Sequence, residues 1–192
     1  MAPQFSTLSV QKYVAAATSA LPGGMRFEPV YSFHLHPLLI EAFSERVRAA
    51  KPQPDEDVVC TAHSLPLKAI AAGDAYASQV AETARGVARE AGLARYRRAY
   101  QSAGRTPEPW MGLDVNELIR HRAARGARRF LVAPIGFVCD HTEILFDIDV
   151  QAAATARSCG VSLRRTESLN CSPAFISMLE DLVRRSTGPG EP

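Results

Sequence analysis

Apolar positions recur along this chain with two periods, and the two alternate. Val10, Tyr13, Val14, Ala17 and Leu21 fall at helical spacing, which predicts a helix over residues 6–21, stopped by Pro22-Gly23-Gly24. Residues 27–31 read as a short strand. Leu39, Ile40, Phe43 and Val47 mark the buried face of a helix over residues 36–50. The run Val58-Val59-Cys60 predicts a strand over residues 57–61, leading into Ala62-His63-Ser64-Leu65-Pro66. An alanine-rich helix over residues 75–91 carries Tyr76, Val80, Ala84 and Val87 on one face, and a strand over 96–101 follows. Asp114 caps a helix over 114–125. The apolar run 130–135, bounded by Gly136, reads as a buried parallel strand. A helix with Glu143, Asp147 and Gln151 comes next, then a strand over 161–165. Ser172-Pro173 opens a last helix with Phe175, Ile176, Leu179, Leu182 and Val183 apolar.

Strand and helix alternate throughout, and the helices are long enough for right-handed crossovers. That predicts an α/β fold, a mostly parallel sheet flanked by helices on both faces. No internal repeat or long linker divides the chain. One domain is expected over residues 1–186, with a disordered Gly- and Pro-rich tail at 187–192.

Composition narrows the functional classes. The chain has 192 residues, 46% hydrophobic and 22% charged, which suits one ordinary domain. A formal net charge of +2 gives no argument for nucleic acid or an anionic membrane. Arginines cluster at Arg95, Arg97 and Arg98 and again between Arg120 and Arg129; these read as solvated faces, or as an anion-binding rim. No apolar run approaches the ~20 residues of a membrane span. No signal peptide is evident, so the cytoplasm is the expected compartment. Cys60, Cys139, Cys159 and Cys171 match no zinc or iron–sulfur spacing and are expected to be reduced, partly buried thiols.

The candidate chemistry lies where strands end. Open α/β sheets bind ligands just past the carboxyl ends of their strands. One predicted strand ends at His63-Ser64, another at Gln101-Ser102, and a third leads to Asp140, His141 and Glu143. Imidazole changes charge near neutral pH, so His63 can take a proton or ligate a metal. Glu143, Asp147 and Gln151 recur every fourth residue and would stack on one helix side, a path for a cation or for protons. The alternative is a solvated acidic face with Asp140 as the helix N-cap.

Several stretches together resemble the ferrochelatase family. Ala62-His63-Ser64-Leu65-Pro66 resembles its "SAHSLP" motif and Gly73-Asp74-Ala75-Tyr76 its "GDPYP" segment. Tyr100-Gln101-Ser102 resembles "WQS", and Pro107 to Gly112 resembles "PxPWLGP". Pro134 to Asp147 is similar to "PVGFVSDHxExLYD", and Pro3-Gln4-Phe5-Ser6 to the "YPQYS" loop.

The resemblance implies insertion of ferrous iron into a porphyrin, protoporphyrin IX or coproporphyrin III. It implies His63 as the catalytic histidine, Glu143 as its acidic partner, and Asp147 as the next acid on an iron or proton route. It places Gln101, Ser102, Trp110, Met111 and His141 against the porphyrin. It implies a π-type widening in the acidic helix. His36 is similar to a histidine near an outer metal site in some members. No tightly bound cofactor and no iron–sulfur cluster are expected, with iron as substrate. Gln151 departs from the family, which usually has a third acid there. Family members have two similar α/β halves around the cleft; this chain resembles the C-terminal half, with an inter-half segment over residues 1–25. An N-terminal half or a homo-oligomer partner is therefore expected. A cobalt or nickel tetrapyrrole chelatase acting as a homodimer, or a non-catalytic porphyrin-binding remnant, are the alternatives.

Overall fold

The computed structural model describes residues 2–104 and 106–187. Four parallel strands form one sheet: β1 (Glu56–His63), β2 (Arg97–Gln101), β3 (Arg129–Ala133) and β4 (Ser162–Arg165), in the order β2-β1-β3-β4. The helices are α1 (Val10–Ala20), α2 (Pro37–Ala49), α3 (Leu67–Ala71), α4 (Tyr76–Glu90), α5 (Val115–Ala124), α6 (Thr142–Ile144), α7 (Ala153–Ser158) and α8 (Pro173–Thr187). A π-helical stretch, Leu145–Ala152, joins α6 to α7. The expected tail lies outside the described residues, apart from Thr187, which ends α8.

The central strand β1 is buried along almost its whole length, and its alternating side chains feed two cores. Cys60 and Ala62 pack with Tyr100 and Ala133 under α2, α4 and α8. Val59 packs with Ala99, Phe130 and Val132 under α5, the π stretch and α7. Each large apolar side chain so covered contributes roughly 1.5–3 kcal/mol. At the amino end of β1 two carboxylates are buried and paired. Glu56 takes two hydrogen bonds from Arg164, at 2.8 and 2.6 Å. Asp57 meets Arg122 at 2.7 Å and Arg97 at 3.2 Å. Part of each arginine cluster is thus spent on internal pairing.

β1 and β2 are in register so that His63 stands beside Gln101. Their carboxyl ends open on one edge of the sheet, and the segment after β3 folds across that edge. Gly136 makes the crossing feasible. A Cβ at this residue would lie 2.7 Å from Ala62 Cβ and 2.8 Å from Ala62 Cα, closer than real carbon contacts allow. The Gly136 N–H donates to the Thr61 carbonyl at 3.1 Å.

Several expectations need correction. The first helix begins at Val10, not at residue 6, because Ser6 and Thr7 are committed to Asp74. The Ser6 and Thr7 hydroxyls and the Thr7 N–H all donate to Asp74 Oδ2, at 3.2, 2.7 and 2.7 Å. The apolar face of α1 is not buried: the helix contains no buried residue. Residues 27–31 form no strand: they pair with none of the four strands, and Phe27, Val30 and Tyr31 are exposed. The short helix α3 was not anticipated. Asp140 does not cap the acidic helix. His141 occupies that position with no side-chain cap, and Asp140 accepts instead from Ser168 and Asn170. The cysteines are free; Cys60 is buried and Cys159 half-buried, while Cys139 and Cys171 are exposed, contrary to expectation.

Candidate active site

His63 ends β1 with its side chain about one-third exposed. Its Nδ1 contacts the Ser64 carbonyl. A carbonyl only accepts, so Nδ1 carries the hydrogen and the neutral ring keeps a lone pair on Nε2. That nitrogen faces Glu143 Oε1 at 3.9 Å. The separation exceeds a direct hydrogen bond, so both groups can reach one atom lying between them. The backbone of His63 also hydrogen-bonds Tyr76, whose phenol is pushed up in pKa by burial and stays protonated.

The cavity above His63 measures about 570 Å³, within the usual range for small-molecule sites. One wall comes from Leu65, Pro66, Tyr76, Trp110, Phe137 and His141. The other comes from the N-terminal arm, including Leu8, Val10, Tyr13, Val30 and Phe33. Its lining is predominantly apolar, with His63 and His141 among the few polar groups, which suits a large flat apolar ligand.

Each wall residue has a local reason for its place. The loop before α5 is zipped to the end of β1: Met111 N–H donates to Leu65 O at 2.8 Å and Leu67 N–H to Pro109 O at 2.9 Å. The Ser64 hydroxyl donates to Met111 O at 2.8 Å. Trp110 lies against Gly104, where any Cβ would overlap the indole, and its Nε1 donates to Thr106 at 2.9 Å. The His141 ring leans on Phe137, with centroids 5.0 Å apart. Met111 is buried behind the wall rather than lining it.

The acidic helix is π-helical where the family resemblance implied. In an i→i+5 helix the turn is wider, so residues four apart no longer superpose. Glu143, in α6 ahead of the π stretch, faces His63, while the Asp147 carboxylate, within it, accepts from the Ser102 hydroxyl. Ser102 holds a left-handed φ of 60°. Asp147, Gln151, Gln101, Ser102, Asp114 and Asn116 share a second, polar cavity of about 220 Å³. Gln101 is 1% exposed and neither of its amide heteroatoms has a partner, so this polar group belongs to the small cavity rather than to the porphyrin-sized one. His63, Glu143 and Asp147 are not gathered into one ligand set. Among the described residues no group of three or more His, Cys, Asp or Glu could hold a metal ion. They form a sequence instead, a His63–Glu143 pair in the cleft and a Ser102–Asp147 pair below it.

His36 has no nitrogen left for a metal. Its Nδ1 accepts from Leu38 N–H at 3.3 Å and its Nε2 donates to Asp181 at 2.7 Å, tying α2 to α8.

Comparison with known proteins bears on this arrangement directly. The family model described as Ferrochelatase matches residues 1–187. The chain belongs to the ferrochelatase family. It is 43% identical over 189 residues to "Ferrochelatase" of Thermus thermophilus, covering 95% of this chain and 60% of that protein. It is 42% identical over 196 residues to "Ferrochelatase" of Deinococcus radiodurans, covering 96% of this chain and 62% of that protein. It is 39% identical over 192 residues to "Coproporphyrin III ferrochelatase" of a Geobacillus species, covering 95% of this chain and 62% of that protein. The chain thus spans about three-fifths of the length of these ferrochelatase relatives.

Sequence reasoning placed His63, Glu143, Trp110 and His141 in one cleft. It missed Phe137, Tyr76 as a cleft residue, and the arm residues Leu8, Val30 and Phe33. The apolar and aromatic positions between Gly24 and Pro37 were the signal for Val30 and Phe33. It also missed the ties of Asp140 to Ser168 and Asn170, because nothing in the linear pattern connects those positions.

Proposed function

We propose that this chain takes part in inserting ferrous iron into a porphyrin, protoporphyrin IX or coproporphyrin III, in haem biosynthesis. The observation that carries the reading is His63, which lines an apolar cleft of about 570 Å³ and turns its Nε2 lone pair to Glu143. Two pyrrole N–H protons must leave the macrocycle as the metal enters. Nε2 of His63 accepts a proton from the ring; Glu143 receives it or holds the arriving cation. Asp147, with Ser102 beside it, is the next acceptor along the helix. Trp110, Phe137 and His141 hold the macrocycle against His63, and the apolar lining keeps bulk water from the exchange. Iron is a substrate here, and no resident cofactor or iron–sulfur cluster has a part.

The exposed arm and α1 are the surface on which a further polypeptide segment, an N-terminal half or another copy, would complete the cleft. Among the described residues no helix is long and apolar enough to cross a membrane. That, with bacterial relatives, supports a cytoplasmic setting.

The test is an insertion assay with zinc or ferrous iron and each of the two porphyrins. It is run on the 192-residue chain alone and with the remaining segment of a Thermus or Deinococcus relative. Metalloporphyrin should form in the completed protein. Neither porphyrin binding nor insertion in either preparation would overturn the proposal.

A further inference from the structure

We infer that Arg165 is the positioning residue of the acidic helix: its guanidinium grips the chain in front of His141 and again inside the π stretch, and so fixes the span that carries Glu143 and Asp147. The inference rests on the proposed roles of those two acids. Arg165 ends β4, and its side chain is only 15% exposed. Nε and Nη2 donate to the two oxygens of Asp149 at 2.9 and 3.0 Å, a forked pair. Nη1 turns to Asp140 Oδ1 at 3.2 Å and shares its remaining hydrogen between the Thr166 carbonyl, at 3.1 Å, and the Ser168 hydroxyl, at 3.3 Å. All three nitrogens of the fork are engaged.

The frame behind Arg165 is rigid. Thr166 N–H donates to Val132 O at 2.9 Å, which ties the residue after Arg165 to β3. Asp140 is held independently. It accepts from Ser168 Oγ at 2.8 Å and from Asn170 Nδ2 at 2.9 Å, while its own N–H donates to Asn170 Oδ1 at 2.9 Å. Asn170 N–H in turn donates to Val138 O at 2.9 Å. The segment between Asp140 and Asp149 is therefore suspended between two points on one cation.

That matters because a π stretch carries one residue more per turn than its α-helical neighbours and is rare without external support. If the stretch tightened to an α-helix, each residue beyond the change would rotate by up to ~100°, the angle of one helical residue. Asp147 would leave Ser102, while Glu143, ahead of the change, would stay near His63. A clamp reaching both sides of the change prevents this. An isolated exposed ion pair would not suffice, since such pairs contribute little; this one is largely sheltered and shared by two carboxylates.

The test compares wild type, Arg165→Gln, Arg165→Lys and Asp149→Asn. Amide hydrogen exchange across residues 145–152 should quicken about tenfold or more in Arg165→Gln, while β1 and β3 keep their protection. In the completed protein, kcat for zinc insertion should fall ~10–100-fold with KM for porphyrin unchanged, as expected for a misplaced Asp147 rather than a lost substrate contact. Arg165→Lys keeps charge without the fork and should fall between. Should Arg165→Gln not fold, Asp149→Asn cuts one arm of the clamp and should reproduce the exchange change. Unaltered exchange over 145–152 would overturn the inference, as would a raised KM at constant kcat. A wild-type protein without insertion counts against the proposed function instead, and the exchange result then decides the clamp alone.

Discussion

Nε2 of His63 and Oε1 of Glu143 face one another at 3.9 Å, one from the end of the central strand and one from the first turn of the acidic helix. The imidazole is fixed by its Nδ1 contact to Ser64, so its orientation does not depend on Glu143. His63→Ala should lower insertion ~10²–10⁴-fold in the completed protein, the usual loss for a positioned base. Porphyrin affinity should change little, because the apolar walls remain. Visible-band titration beside the insertion assay checks both; near-normal turnover in the variant would remove His63 from the chemistry.

The two acids should differ in weight. Glu143 faces His63, whereas Asp147 pairs with Ser102 beneath it. Glu143→Gln should be severe and Asp147→Asn milder. Gln151→Glu should be tolerated, since the position lines the outer polar cavity. Rate–pH profiles of the three variants test the ordering, and a Glu143→Gln profile that superposes on wild type would refute the relay.

Asp74 anchors the arm that forms one cleft wall. It accepts from Ser6, from Thr7 twice, and from Tyr76 N–H at 2.9 Å as the start of α4. Burial raises its pKa, but the bonds from Thr7, Tyr76 and Ser6 outweigh it and hold the carboxyl below its usual range. A depressed folded pKa means that the unfolded chain binds the extra proton. The contribution is present above the unfolded value of ~3.9 and is lost as pH falls through the lower folded value. Asp74→Ala should cost about 2–3 kcal/mol through the donors of Ser6, Thr7 and Tyr76 left unpaired. Asp74→Asn should flatten the acid limb of stability against pH. Urea denaturation from pH 2 to 7 measures both.

Apolar surface remains on the arm and on α8. Tyr13 is 75% exposed, Met25 57% and Ile176 47%. Each large side chain left in water forgoes ~1.5–3 kcal/mol. A few of them rival the whole net stability of a domain, ~5–15 kcal/mol. The 192-residue chain alone should therefore self-associate at micromolar concentration, and Tyr13→Ser with Met25→Ser should reduce it. Sedimentation velocity decides; a clean monomer across the range would contradict the expectation.

The strand endings could be read from sequence because apolar runs and Gly136 delimit them, and His63, Gln101 and Glu143 follow from the sheet's geometry. The residues 27–31 misled because β-rich composition says nothing about whether an edge is available. The start of α1 was misplaced because Asp74, far along the chain, captures Ser6 and Thr7. The period of four over Glu143, Asp147 and Gln151 is compatible with an α-helix. Its opening into a π stretch depends on tertiary partners such as Arg165, which no local pattern reveals.

Helix α1 has eleven residues and buries none of them. A helix that short is marginal in water when nothing lies on it. Its Lys12 is exposed, so trypsin acting on the free chain should cut there early, inside a secondary-structure element rather than in a loop. The nick would leave residues 2–12 pinned through Asp74 and free the chain from Tyr13 onward only as far as Ser32, whose hydroxyl donates to Gln79 at 2.8 Å. Protection of a single peptide bond thus becomes a gauge of whether anything closes the cleft, readable on a gel without substrate, metal or turnover.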